Sequence, residues 1–443
     1  MTEFSALEAA NTFEELNLAP ELLSAVLALG YTVPTPIQKE AIPLVLAGRD
    51  LMAQAQTGTG KTAAFALPLL HQIKPHANAS TSPARHPVRA LVLTPTRELA
   101  IQVHESVVAY AKNLPLRSTV VYGGVNMKEQ EADLRAGVEV VVATPGRLLD
   151  HAGSKTTLLN RVQFLVIDEA DRMLDMGFLP DLKRILDLLP AKRQTLLFSA
   201  TFNDEITRLA KSFLKDPIKV EVARKNSATE LVEQVAHKVA EDDKMDALLR
   251  IVQMREISQA LVFTRTKLSA DKLGRRLQRR GVEVAVIHGD KAQVDRILVL
   301  EGFKQGKIKL LVATDIAARG LDIVDLPCVF NFELPYSPED YVHRIGRTGR
   351  AGMSGLAVSL VAPAEEKLLA GVERFIDKRL EISPLPTLPA PTHVAAPVKQ
   401  AETAAVEQPD SAPVAYRRRA QEPVCALFLP PVPPAKPEAP ATE

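Results

Sequence analysis

The chain has no tryptophan, only two cysteines among 443 residues, and a formal net charge of +1. Cys328 and Cys425 are far apart and stand in no C-x-x-C arrangement, which argues against a disulfide framework or a zinc site and fits a reducing, cytoplasmic compartment. A charge so close to zero excludes a uniformly basic surface, so any polyanion would have to be held by local basic groups balanced elsewhere. With 5% aromatic residues there are few flat side chains on which planar ligands could stack. Met1 to Leu16 carries several glutamates and no uninterrupted apolar run, so neither a secretory signal nor a membrane anchor is expected. What is present is an ordinary mixture, 46% apolar and 24% charged, over a length that suggests two or three domains.

The most informative stretch is Ala55-Gln56-Thr57-Gly58-Thr59-Gly60-Lys61-Thr62, between the apolar run Leu51-Met52-Ala53 and a helical pattern from Ala63 to Leu70. Strand, glycine-rich loop and helix start together make an anion cradle. Glycine lets successive backbone N–H groups converge, and the helix N-terminus adds its positive dipole end. Lys61 supplies charge for the outer phosphates of a nucleotide, and the Thr62 hydroxyl suits Mg²⁺. The strict pattern G-x-x-x-x-G-K-[ST] fails at Ala55, and a glycine-rich turn that happens to end in Lys-Thr is the plainer alternative.

From Asp50 to about Thr201 continuous apolar runs alternate with helical patterns: Arg89 to Leu93, Thr119 to Tyr122, Val138 to Ala143, Phe164 to Ile167 and Thr195 to Phe198. Runs without polar alternation read as strands buried on both faces, hence an open parallel α/β sheet covered by helices. The polar segments that follow the runs should share one rim with the phosphate loop, because such sheets bind ligands beyond the carboxyl ends of their strands. After a linker at 223–230 the same grammar resumes at Ala260 to Phe263, Val284 to Ile287, Lys309 to Ala313, Cys328 to Phe332 and Leu356 to Leu360. The expected organisation is one α/β domain over 1–222, a second over 231–382 without a phosphate loop of its own, and a tail over 383–443. That tail holds 14 of the 32 prolines, and such a composition is expected to be disordered.

Two further segments carry chemistry. Phe164-Leu165-Val166-Ile167 leads into Asp168-Glu169, where an aspartate at a strand end can reach Mg²⁺ held by Thr62 and the adjacent glutamate can polarise a water. Two carboxylates at a helix start could instead be caps, but the pairing with Lys61-Thr62 favours the catalytic reading. His343-Arg344-Ile345-Gly346-Arg347-Thr348-Gly349-Arg350 places three arginines in the second domain. Arg347 and Arg350, at i and i+3, should project from one side of a helical turn and reach a γ-phosphate once the domains close.

Asp168-Glu169-Ala170-Asp171 spells the DEAD box, and from about Phe13 to Ile382 the chain resembles bacterial DEAD-box ATP-dependent RNA helicases, most closely the RhlE-type subgroup. That family's own loop reads A-x-T-G-x-G-K-T, which accounts for Ala55. The resemblance implies two tandem RecA-like domains, ATP and Mg²⁺ as cofactors, and RNA as partner, bound without sequence preference through sugar and phosphate. It implies that Gln38, in Thr35-Pro36-Ile37-Gln38, reads adenine while Phe13 stacks on the ring, that Asp322 meets the ribose, and that Asp171, Ser199, Thr201 and His343 couple nucleotide state to the domain interface. Thr96, Arg97, Gly124, Thr144 and Arg147 of the first domain, with Arg265, Gln293, Arg296 and Thr314 of the second, would hold RNA. Val294 and Asp295 are unusual within the Q-x-x-R pattern, and an acid there would weaken a phosphate contact. The activity implied is RNA-dependent ATP hydrolysis that unwinds short duplexes or remodels RNA–protein complexes; an ATP-gated RNA clamp is the alternative. Val424 to Leu429 in the tail is a candidate docking segment for RNA-decay or ribosome-assembly proteins.

Overall fold

The computed structural model describes residues 11–385 except 56–57, 203, 223–231, 319–320, 322, 324–325 and 350–354. The linker expected at 223–230, the tail from 386 onward, and Gln56, Thr57, Asp322 and Arg350 lie outside the described residues.

Among the described residues there are two seven-stranded sheets, parallel throughout. The first comprises β1 (Leu51–Gln54), β2 (Ala90–Leu93), β3 (Ser118–Val121), β4 (Val140–Ala143), β5 (Phe164–Ile167), β6 (Gln194–Ser199) and β7 (Ile218–Glu221), in the order β3-β4-β2-β5-β6-β1-β7. The second comprises β8 (Val232–Lys238), β9 (Ala260–Thr264), β10 (Val284–Ile287), β11 (Leu310–Thr314), β12 (Cys328–Asn331), β13 (Gly355–Val361) and β14 (Glu381–Ile382), in the order β10-β11-β9-β12-β13-β8-β14. These are tandem RecA-like domains. The apolar runs are continuous because each sheet is covered on both faces. Ala90 and Val92 face one core of the first domain while Leu91 and Leu93 face the other, and Ala260 and Val262 alternate with Leu261 and Phe263 in the second.

Every apolar run read as a strand forms one, but β8 and β14 were not anticipated. Val-Glu-Gln-Val-Ala-His-Lys is too polar for a buried strand by composition, yet it pairs with β13 along seven residues. Its polar side chains find partners that sequence cannot supply: Tyr341 Oη donates to Gln234 Oε1 at 3.1 Å, and His237 Nδ1 lies 2.8 Å from the Ser383 carbonyl. The Ser383 N–H also bonds the Ala236 carbonyl at 3.0 Å, so the sheet extends just past the expected boundary at 382. Among the described residues no helix is long and apolar enough to cross a membrane.

Asp50 fixes the position of β1, whose end carries the phosphate loop. Its Oδ1 accepts the Thr195 N–H at 2.8 Å and its Oδ2 the Lys215 N–H at 2.7 Å, tying β1 to the starts of β6 and β7. Replacing Asp50 with alanine leaves two amides near the sheet edge without their acceptor. The expected loss is about 1–3 kcal/mol, read as a lower urea midpoint at unchanged slope; an unchanged midpoint would remove this role.

Candidate active site

The phosphate loop leaves β1 and enters the helix Lys61–Ile73. Gly58 and Gly60 hold φ of +81° and +88°, the left-handed region in which a side chain is strained. At Gly60 space is also excluded, since a Cβ would lie 2.4 Å from Gln38 Nε2. Gln38 Nε2 donates to the Gly60 carbonyl at 3.1 Å, and Gln38 Oε1 accepts the Thr35 N–H at 2.9 Å. The amide is thus anchored to the loop at one end and to its own helix start at the other. One hydrogen and one lone pair remain for a ligand. Phe13 is placed differently from an open stacking platform: it is 2% exposed, inside the core beneath the first helices.

Lys61 and Asp168 face one another across the carboxyl ends of β1 and β5, with Nζ 3.7 Å from Oδ1, and both are buried. Burial pushes the Asp168 carboxyl above its ordinary range, while the Lys61 ammonium opposes that shift and the Glu169 carboxylate adds to it. Glu169 takes a φ of +52°, uncommon for a residue with a side chain. Its backbone N–H donates to Asp168 Oδ1 at 2.9 Å, and its Oε2 accepts from Arg172 Nη1 at 2.9 Å. The Arg172 contact fixes the orientation of the carboxylate.

Asp171 turns towards β6. Its Oδ2 accepts from the backbone N–H groups of Ala200 at 2.9 Å and Thr201 at 3.1 Å and from the Thr201 hydroxyl at 3.3 Å, while Ser199 Oγ donates to the Thr201 carbonyl at 2.7 Å. The three residues expected to couple sites in this domain are therefore one hydrogen-bonded unit. His343 lies half-buried on the helix Pro338–Ile345 of the second domain.

That helix ends at Ile345, so Arg347 lies beyond it and not on the helical turn its spacing had predicted, while Arg350 is outside the described residues. The chain turns instead, through Arg347 N–H to Arg344 O at 3.2 Å and Thr348 N–H to Ile345 O at 3.1 Å. Arg347 is buried and donates from Nη1 to the Leu321 carbonyl at 2.7 Å. Arg344 has a different job: it pairs with both Asp315 oxygens at 2.6 and 2.7 Å, donates to Asn331 and the Glu333 carbonyl, and lies 4.9 Å over the Phe263 ring.

The residues expected on RNA gather on loops and helix starts at the same rim of each sheet. Thr96 caps the helix Arg97–Tyr110 through Leu99 N–H at 3.3 Å, Thr144 precedes the helix Pro145–Gly153, and Arg147 donates to the Val125 carbonyl. Arg97 passes directly over Gly124, whose φ is +84° and where a Cβ would lie 2.1 Å from Nη1. Gly124→Ala is expected to displace the Arg97 guanidinium at a cost of about 1–2 kcal/mol in backbone strain. The check is a severalfold loss of single-stranded RNA affinity together with a fall of a few degrees in melting temperature. In the second domain Thr314 closes β11, and Arg265 is held by Glu333 and Glu365 with its guanidinium 5.0 Å over the exposed Tyr336 ring.

Gln293 and Arg296 do not face outward. Both are buried against Glu98 of the first domain: Gln293 Nε2 donates to Glu98 Oε1 at 3.1 Å, Arg296 Nε to the same oxygen at 2.9 Å, and Arg296 Nη2 lies 2.8 Å from it. Arg97 Nη1 donates to Gln293 Oε1 at 3.3 Å, completing a bridge between the domains. Val294, 64% exposed, and Asp295 lie on the opposite, solvent side of the same helix, so the acid at 295 is directed away from this bridge. Sequence reasoning missed Glu98, which by itself reads as an acidic residue suited to the first turn of a helix.

The DEAD/DEAH box helicase family matches residues 35–209, and the helicase conserved C-terminal domain matches residues 243–352. The ATP-dependent RNA helicase CshA of Listeria monocytogenes is 46% identical over 375 residues, covering 85% of this chain and 71% of its own. The DEAD-box ATP-dependent RNA helicase RhpA of Helicobacter pylori is 43% identical over 377 residues, covering 85% and 75%. Among solved structures, S. cerevisiae Dbp5 bound to RNA and ADP BeF3 matches with a TM-score of 0.75 at 34% identity, over 85% of this chain and 96% of that one. Two matched domains in tandem, on the two sheets just described, place the chain in the DEAD-box family of superfamily-2 RNA helicases, enzymes that bind and hydrolyse ATP.

Proposed function

We propose that this enzyme remodels short RNA duplexes and RNA–protein complexes by closing its two domains on RNA and ATP together, and reopens after hydrolysis. The observation that carries this reading is the bridge from Arg97 and Glu98 to Gln293 and Arg296, because it joins residues of both domains at the rim where RNA contacts are expected. A strand bent by closure cannot stay paired, so local base pairs part. Binding is through phosphates and 2′-hydroxyls, since the groups on this rim are hydroxyls, backbone amides and guanidiniums rather than base-reading surfaces.

For hydrolysis, Lys61 and the loop amides hold the outer phosphates, Gln38 orients the adenine, and Asp322 meets the ribose. A water oriented by Glu169 attacks the γ-phosphorus, its proton passes to the carboxylate, and the bond to the leaving ADP oxygen breaks. Arg347 and Arg350 meet the charge developing on the transferred phosphoryl group after closure. Thr62 and Asp168 would hold Mg²⁺; a buried carboxylate with one ammonium at 3.7 Å, its charged form disfavoured by burial and by Glu169, suits a second cation. Bound there, the ion would neutralise phosphate charge.

Closure driven by two ligands requires each to strengthen the other's binding. RNA affinity measured with and without a non-hydrolysable ATP analogue should differ by tenfold or more; equal affinities would remove the mechanism. ATPase stimulation by single-stranded RNA should exceed that by DNA of equal length, and the reverse would overturn the substrate class. The RhlE-type placement rests on motif resemblance, whereas the relatives above carry the names CshA and RhpA. A docking role for Val424 to Leu429 predicts that deleting residues 386–443, which leaves the Ser383 contacts with the second sheet intact, removes co-purifying proteins while sparing RNA-dependent ATPase activity.

A further inference from the structure

The opposite pole of the first domain carries a feature that this mechanism does not use. The motifs lie at the carboxyl ends of the strands, but Arg89 immediately precedes β2 and Arg161 lies just before β5, the strand paired with it, at the amino ends. Four-residue strands put the two poles about 13 Å apart. Between β2, β5 and the loop that follows the helix Lys61–Ile73 lies a cavity of about 610 Å³, lined by His76, Asn78, Arg85, Arg89 and Arg161 with prolines and alanines around them. This is the size of a small-ligand pocket, about 300–1,000 Å³.

Its charge is one-sided. Three arginines line one cavity, and among the described residues none of the three lies within ion-pair distance of a carboxylate. The nearby carboxylate, Glu139, is fully buried behind the wall and already occupied, with Oε1 2.5 Å from His86 Nδ1 and Oε2 accepting the Arg117 N–H at 2.9 Å. Arg89 Nε is a buried donor without a hydrogen-bond partner. Burial disfavours the Arg89 charge, with the Glu139 carboxylate opposing that shift and Arg161 adding to it; burial and Arg89 likewise disfavour an imidazolium at His76, again against Glu139. The loop is held in shape independently of any ligand: Asn78 Nδ2 donates to the carbonyls of His76 and Arg85, and its Oδ1 accepts the Ser80 N–H. A concave site lined by three arginines that form no ion pair among the described residues suits an anion with several acceptor oxygens.

We propose that Arg85, Arg89 and Arg161 form a phosphate-binding site at the pole of the first domain opposite the ATP cleft, taking either a free phosphorylated ligand or a phosphate of bound RNA. Arg85 and Arg161 are exposed at its mouth, so both can be replaced without disturbing the core.

The test uses the full chain saturated with ADP, so that the phosphate loop is filled, and pyrophosphate as probe in a calorimetric titration. The wild type should bind one pyrophosphate per chain, and R85A/R161A should bind it at least tenfold more weakly, with R85K/R161K recovering part of the loss. A parallel titration with labelled single-stranded RNA separates the sources. Unchanged RNA affinity in R85A/R161A assigns the site to a free phosphorylated ligand. A drop of threefold or more, with a shallower dependence on salt, assigns it to RNA phosphate. No pyrophosphate binding by the ADP-loaded wild type, or equal binding by wild type and R85A/R161A, overturns the proposal.

Discussion

Glu169→Gln is expected to lower RNA-stimulated ATP turnover by about 10²–10⁴-fold, the usual contribution of a positioned general base, while leaving ATP affinity within about threefold. The reasoning is local. Glu169 sits at the end of β5 in a left-handed conformation, and its backbone N–H bonds the neighbouring Asp168 carboxylate. Gln retains the size of the side chain and an oxygen that can still accept from Arg172, so the loop should keep its shape. What is lost is the ability to take a proton from water. Because binding is retained, the variant should accumulate in the closed complex and hold RNA longer in the presence of ATP. Single-turnover hydrolysis with RNA saturating separates this from slow product release. A loss smaller than tenfold in that experiment would move the base to another residue.

The second large effect is expected at the bridge between domains. Removing one partner of a buried, hydrogen-bonded charge pair across an interface typically costs about 2–5 kcal/mol, because the remaining charge stays desolvated and unpaired. Glu98 takes both Gln293 and Arg296 on a single carboxylate oxygen, so Glu98→Ala should strip two donors of their acceptor at once. The result to look for is the ratio of RNA affinities with and without a non-hydrolysable ATP analogue, which should fall by about 30-fold or more for a loss near 2 kcal/mol. Combining Glu98→Ala with Arg296→Ala should cost little beyond either alone, since both remove the same contact. The opposite sign is equally informative. If Glu98 competes with RNA phosphate for Arg296 rather than supporting closure, Glu98→Ala should tighten RNA binding without nucleotide, and the bridge would have to be read as a contact broken on binding.

Much of this enzyme was legible in its residues. Buried parallel strands announce themselves as unbroken apolar runs, because a sheet covered on both faces has no reason to alternate, and the functional loops follow those runs at once. The phosphate loop, Asp168-Glu169 and the grouping of their partners on one rim follow from chemistry written in consecutive residues. The Asp171 contact with Ala200 and Thr201 could be placed only as a role, not as a geometry, since nearly thirty residues separate the partners. β8 could not be found at all. Its glutamine and histidine are tolerated inside a sheet because Tyr341 and Ser383 meet them there, and no local pattern encodes that meeting.

Short-range order determined the fold class, the strand positions and the nucleotide chemistry, because helix starts, glycine turns and apolar periodicity act over a few neighbouring residues. The tertiary structure alone decided which basic groups remain available. Arg344 and Arg347 look equivalent in the chain, yet Asp315 claims the first as a structural clamp; Arg296 turns to Glu98, 198 residues away, while Arg85, Arg89 and Arg161 are left sharing a cavity. A charge's role is set by what lies within a few ångströms of it, since Coulomb energy and desolvation are both short-ranged in water, and that neighbourhood exists only once distant segments have packed together.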